Sequence, residues 1–152
     1  MAKGVGPAVV ICALLVAVTG CGGESGVSAG ASVAAYVEAP LCPGATRALA
    51  RQGGKAGEVR VRAVCLASAE GGGKVDLATI GANARRATED SAGVAYIEAP
   101  ARPSFSRPIV ESAGIAVLRT TSGAAAMDRL LKAIAESGTS GSLRESVREA
   151  LG

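Results

Sequence analysis

The stretch 82–122 constrains the fold more than any other part of the chain: ANARRATEDSAGVAYIEAPARPSFSRPIVESAGIAVLRTTS. An Ala- and Arg-rich helical segment gives way to a short apolar run, Val94 to Ile97. A Pro-rich loop follows, then a second helical segment at Pro108 to Ala113 and another apolar run, Ile115 to Leu118. Short apolar runs separated by a helix read as buried parallel strands joined by a crossover connection. Ligands of open α/β sheets sit outside the C-terminal ends of the strands. A site in this chain is therefore expected at that edge, where the second run ends in Thr120, Thr121 and Ser122.

The same grammar extends in both directions. Val33 to Val37 is a first strand with Tyr36 inside, and Pro43 to Gln52 a short helix closed by Gly53-Gly54. Val59 to Leu66 is a second strand, in which Arg60 and Arg62 alternate with apolar residues as an edge strand with one wet face would. Glu70 to Lys74 is a Gly-rich loop, and Asp76 N-caps a helix over Leu77 to Glu89. Leu77, Ile80, Ala84 and Ala87 form its apolar stripe, with Arg85 and Arg86 facing water. Gly123 to Glu136 is a helix with Met127, Leu130, Leu131 and Ile134 on one face. Gly138 to Gly141 is a turn, and Ser142 with Glu145 has capping-box spacing for a last helix through Leu151, with Leu143, Val147, Ala150 and Leu151 inward. The expectation is an α/β fold: a three-layer, mostly parallel, doubly wound sheet of about four strands, in one domain over 32–152.

Residue types exclude several functions. There is no histidine, which removes the commonest general base and the commonest metal ligand. Only Tyr36, Tyr96 and Phe105 are aromatic, and the net charge of +3 is spread without a basic block, so nucleic-acid binding is disfavoured. Gly71-Gly72-Gly73-Lys74 lacks both the leading Gly and the following Ser/Thr of a phosphate loop. No G-x-S-x-G elbow is present for a serine hydrolase. Glu98, with no evident partner, reads as a surface residue, and Arg102 as a solvated loop residue. No enzyme, cofactor or metal site is expected.

The N-terminus reads as an address. Lys3 precedes an apolar run, Ala8 to Val18, of signal-peptide length and too short to span a bilayer comfortably. Val18-Thr19-Gly20-Cys21 resembles a bacterial lipobox. That resemblance implies cleavage after Gly20 and lipid on Cys21, with 1–20 as signal peptide and the Gly/Ser-rich 21–31 as a flexible tether. The other reading is a plain secretory signal. In the lipobox reading the chain is exported and lipid-anchored at the outer face of the cell membrane. Cys42 and Cys65 remain in the domain, each near the C-terminal end of one of the first two strands. Parallel neighbours in an oxidising compartment make a disulfide sterically reasonable; two buried free thiols are the alternative. The bridge would close a loop of about 22 residues and stabilise by about 3 kcal/mol in the chain-entropy view.

Asn83-Ala-Arg-Arg-Ala-Thr-Glu-Asp, Val94-Ala-Tyr-Ile and Pro108-Ile-Val-Glu-Ser-Ala-Gly-Ile, in that order, resemble the first lobe of branched-chain amino acid ABC transporter substrate-binding proteins. Val33–Val37 leading into Ala39-Pro40-Leu41 is similar to that family's opening strand and loop. Ala126-Met127-Asp-Arg-Leu-Leu-Lys-Ala-Ile and Arg144-Glu-Ser-Val-Arg-Glu-Ala-Leu look like the helices with which its chain returns to lobe one. The resemblance covers roughly Ser32 to Leu151. It implies a single lobe of a type I periplasmic-binding-protein fold, an amino acid or small carboxylate as ligand, and an ABC permease as partner. Family members have two lobes that close on the ligand; here Arg119–Ser122 runs directly into the returning helix, and the second lobe is missing. By position, backbone at Leu41 and the hydroxyls of Ser104, Thr120, Thr121 and Ser122 would inherit the ligand contacts. Ser122 or Thr121 equally suits an N-cap. Half a cleft encloses little ligand, so weak affinity is expected unless a homodimer sets two lobes face to face. A vestigial or protein-interaction lipoprotein that binds no solute is the alternative.

Overall fold

A computed structural model describes residues 31–71, 74–100, 103–137 and 142–152. The expected signal peptide and tether (1–30, with Cys21), Arg102 and the expected turn at 138–141 lie outside the described residues. In chain order the elements are β1 (Ser32–Val37), α1 (Cys42–Arg51), β2 (Lys55–Ala56), β3 (Val59–Cys65), β4 (Glu70–Gly71), β5 (Lys74–Val75), α2 (Leu77–Glu89), β6 (Gly93–Glu98), α3 (Arg107–Ser112), β7 (Ala116–Arg119), α4 (Gly123–Glu136) and α5 (Leu143–Leu151). The main sheet has five strands in the order β2-β3-β1-β6-β7, all parallel except β2.

Strand alternation divides the core into two layers. Val33, Ala35 and Val37 of β1 pack with Ala95 and Ile97 of β6 and with Leu118 of β7 under α1, α4 and α5. Ala34, Tyr36 and Tyr96 point the other way, toward Ala84 and Ala87 of α2 and Val110 of α3. With so few aromatic residues, small side chains let the layers approach closely. The closest approach is at Gly123, where a Cβ would lie 2.0 Å from the Leu41 carbonyl oxygen and 3.1 Å from the Ala45 nitrogen. The first turns of α1 and α4 are therefore in backbone contact, which only glycine permits. At the opposite edge Arg144 of α5 donates to the carbonyls of Ala113 (3.1 Å) and Ser91 (2.9 Å), tying α5 to the loops that lead into β6 and β7.

Several expectations need correction. The sheet has five strands rather than four, because β2 folds back antiparallel on β3 through a two-residue turn. Gly57 opens that turn at φ 57°, a conformation that favours glycine. Consequently β3 is not the edge strand. Its Arg60 and Arg62 are exposed because no helix covers that face of β3, while Val59 and Val61 point into the helix-covered layer. The Gly-rich loop contains a short hairpin, with Glu70 paired to Val75 and Gly71 to Lys74. Leu77 is 59% exposed: the first turn of α2 stands clear of the sheet, and burial begins at Ile80. Asn83 joins that buried stripe by donating to the Ala67 carbonyl at 2.9 Å. In α5 Val147 is fully buried and Leu143 and Leu151 are half-buried, but Ala150 faces solvent.

Candidate functional site

From β1 the chain moves outward to β3; from β6 it moves the other way, to β7. The direction of winding reverses between β1 and β6, and in open α/β sheets the crevice at such a reversal is where ligands bind. Two glutamates sit there. Glu38 follows β1 and Glu98 ends β6, in strands whose register sets Val37 opposite Ile97. Both are buried, Glu38 to 6% and Glu98 to 2% exposure. Glu98 therefore is not the surface residue expected from its sequence context: the loop after β6 folds over it. Its Oε2 accepts hydrogen bonds from the hydroxyls of Ser104 and Ser106, the latter at 3.1 Å. Its Oε1 faces the Arg107 guanidinium at 3.9 Å. The Glu38 carboxylate accepts from the Ala99 N–H at 2.9 Å, so each buried acid holds the start of the loop that follows β6.

The residues expected to meet a ligand lie along this edge, and most already have internal partners. The Leu41 N–H donates to the Glu38 carbonyl (2.9 Å), and its own carbonyl accepts from Ala45 N–H (3.1 Å). The Ser104 hydroxyl is held by Glu98. Thr120 Oγ1 accepts from the Ser122 N–H at 3.0 Å, and Ser122 Oγ accepts from the Ala125 N–H at 3.2 Å as the N-cap of α4. Thr121 is exposed between them. The first turns of α1 and α4 thus come together at the switch-point edge, and Thr120–Ser122 forms its rim. Cys42, the first residue of α1, is joined by a disulfide to Cys65, the last residue of β3, with Cα atoms 5.6 Å apart. In-register pairing of Val37 with Cys65 brings the two together.

Glu38 and the switch-point pair were missed in reading the sequence, although a signal exists. Ala35-Tyr36-Val37-Glu38-Ala39-Pro40, followed by Pro43, recurs as Ala95-Tyr96-Ile97-Glu98-Ala99-Pro100, followed by Pro103. The two copies occupy the adjacent parallel strands β1 and β6, and their register aligns them residue for residue: Ala35 with Ala95, Tyr36 with Tyr96, Val37 with Ile97. Two nearly identical strand ends stand side by side across the reversal point.

Two grooves lie elsewhere on the described surface. One, of about 450 Å³, is lined by Arg51, Gln52, Lys55, Asp128 and Lys132 among others, at the C-terminal end of α1 and away from the switch point. The other, of about 220 Å³, is lined by β4, β5 and their flanks, Ser68–Gly71 and Lys74–Asp76. Among the described residues no group of three or more His, Cys, Asp or Glu converges as a metal would require, and no helix is long and apolar enough to cross a membrane. Comparison with protein-family models, with curated proteins and with solved structures finds no match.

Proposed function

We propose that the chain is a membrane-anchored, single-lobe solute-binding-protein-like lipoprotein, tethered through lipid on Cys21, that engages a small amino-acid-type or carboxylate-bearing solute at the C-terminal edge of its sheet. It acts as a binding or accessory component for an ABC permease and not as an enzyme. The observation that carries this reading is the winding reversal between β1 and β6, with the first turns of α1 and α4 meeting at its edge. Helix N-termini favour a carboxylate, and the exposed Thr121 supplies a hydroxyl beside them. The specific likeness to lobe one of branched-chain amino acid binding proteins rests on the ordered sequence segments described above.

A titration calorimetry series of the purified protein against amino acids tests the reading. Heat of binding with one or more of them at up to about millimolar concentration is the expected result; silence throughout removes solute capture. A second reading, a protein-interaction lipoprotein, is favoured by one observation. Phe105 (47% exposed) and Ile109 (38%) stand one helical turn apart around the start of α3, where the chain leaves the same edge. Sedimentation of the protein alone and with its membrane fraction distinguishes self-association or a permease-like partner from a monomer.

A further inference from the structure

We propose that Cys65 is a site of reversible thiolation, at which an external thiol opens the Cys42–Cys65 bridge without unfolding the domain. The inference goes beyond solute binding and does not depend on it. The two sulfurs are in unlike surroundings: Cys65 is exposed at the end of β3, whereas Cys42 is only 4% exposed and is the first residue of α1. Thiol–disulfide exchange has a direction set by access and by the leaving group. An incoming thiolate attacks the sulfur of Cys65, the exposed residue of the two, a new S–S bond forms there, and the bridge bond breaks with its electron pair going to Cys42. That thiolate lies in the first turn of a ten-residue helix, where the N-terminal end of the helix dipole stabilises negative charge. Pro43 follows it and donates no hydrogen bond, but the Gly44 amide lies in the same first turn. A second thiol then attacks the mixed disulfide at its outer sulfur, leaving Cys65 as thiolate and the two reductant thiols as a disulfide; the protons released by the two reductant thiols balance the two cysteine thiolates formed. The reductant is a thiol or dithiol of small size or on a partner protein.

Opening the bridge frees the end of β3 from the turn Glu38–Cys42, whose backbone bonds from Leu41 and Cys42 to Glu38 remain. The candidate edge thereby loses one of its covalent restraints while β1 keeps its sheet partners. The test uses the full-length oxidised chain in native buffer with glutathione as the thiol, followed by acid quenching, alkylation and peptide mass mapping. The expected product is a glutathione adduct on Cys65, with Cys42 alkylated as the free thiol, at least about tenfold over the reverse arrangement. Amide exchange of the β1 and β6 strands, followed in parallel, stays protected. An adduct on Cys42 in comparable amount overturns the proposal, as does a bridge that opens only in denaturant or at the rate of global exchange. Site-resolved mapping keeps Cys12 and Cys21 from contributing to the result.

Discussion

A single missing side chain holds two helices together. Replacing Gly123 by alanine places a methyl group against the Leu41 carbonyl and forces α1 and α4 apart. Destabilisation of about 3 kcal/mol, the upper part of the overpacking range, is expected in urea unfolding. Asp90 offers a titratable counterpart at the other edge. Its carboxylate accepts from the Tyr36 hydroxyl at 2.7 Å and from the Ala92 N–H, and it pairs with Arg62; the Tyr36 bond does most to hold its pKa below the ordinary aspartate value. A depressed folded-state pKa means stability present above the unfolded value and lost as pH falls through the folded one. The urea midpoint should therefore drop below about pH 4, and Asp90→Asn, less stable at neutral pH, should show a shallower acid limb. Tyr36 behaves in the opposite sense: burial, then the bond to Asp90, raises its pKa, so its contribution is lost as pH rises above about 10. Little of this residue-level detail was legible in the sequence. Glu98 reads as polar and therefore exposed, since nothing local announces that Ser104, Ser106 and Arg107 fold over it. Leu77 reads as core for the converse reason: helical spacing reports which side of α2 it is on, but not where the sheet beneath stops.

At the scale of elements, the junction between β7 and α4 combines a structural role and a proposed ligand contact, and two substitutions separate them. Ser122→Ala removes the N-cap bond to Ala125 and should cost about 1 kcal/mol of stability whatever the protein binds. Thr121→Ala removes an exposed hydroxyl outside that cap and should leave the unfolding midpoint unchanged. In the solute-binding reading it weakens the titrated affinity by about 2- to 10-fold. Strands and helices of this size were readable because apolar runs and helical stripes are local patterns. β2 was not, because two residues carry no period; its existence depends on Gly57 turning the chain and on β3 offering a free edge. The Cys42–Cys65 neighbourhood was readable in outline, since parallel order of the first two strands brings their ends together. Replacing both cysteines by alanine should lower stability by about 3 kcal/mol in the chain-entropy view while leaving far-UV dichroism intact.

For the molecule as a whole, the alternation of strand and helix was sufficient to expect a mostly parallel sheet between two helical layers, and the sheet β3-β1-β6-β7 has that form except over one face of β3. What the sequence could not convey was which edge residues already have partners. Hydroxyls at Ser104, Thr120 and Ser122 look available in one dimension and are engaged in three. Anchoring is a whole-molecule property too: in the lipoprotein reading, Cys21→Ala should move the exported chain from the membrane fraction to the soluble fraction, as immunoblotting of the fractions would show. The duplicated segment Ala-Tyr-Val/Ile-Glu-Ala-Pro carries a last consequence. Over Ala-Tyr-Val/Ile the two strands carry nearly the same side chains, so hydrophobic matching there does not tell which belongs in which slot. The cysteines can: only the first copy is followed by Cys42, and only beside β3 does that sulfur meet Cys65. The bridge thus closes only on the arrangement in which the first copy lies beside β3.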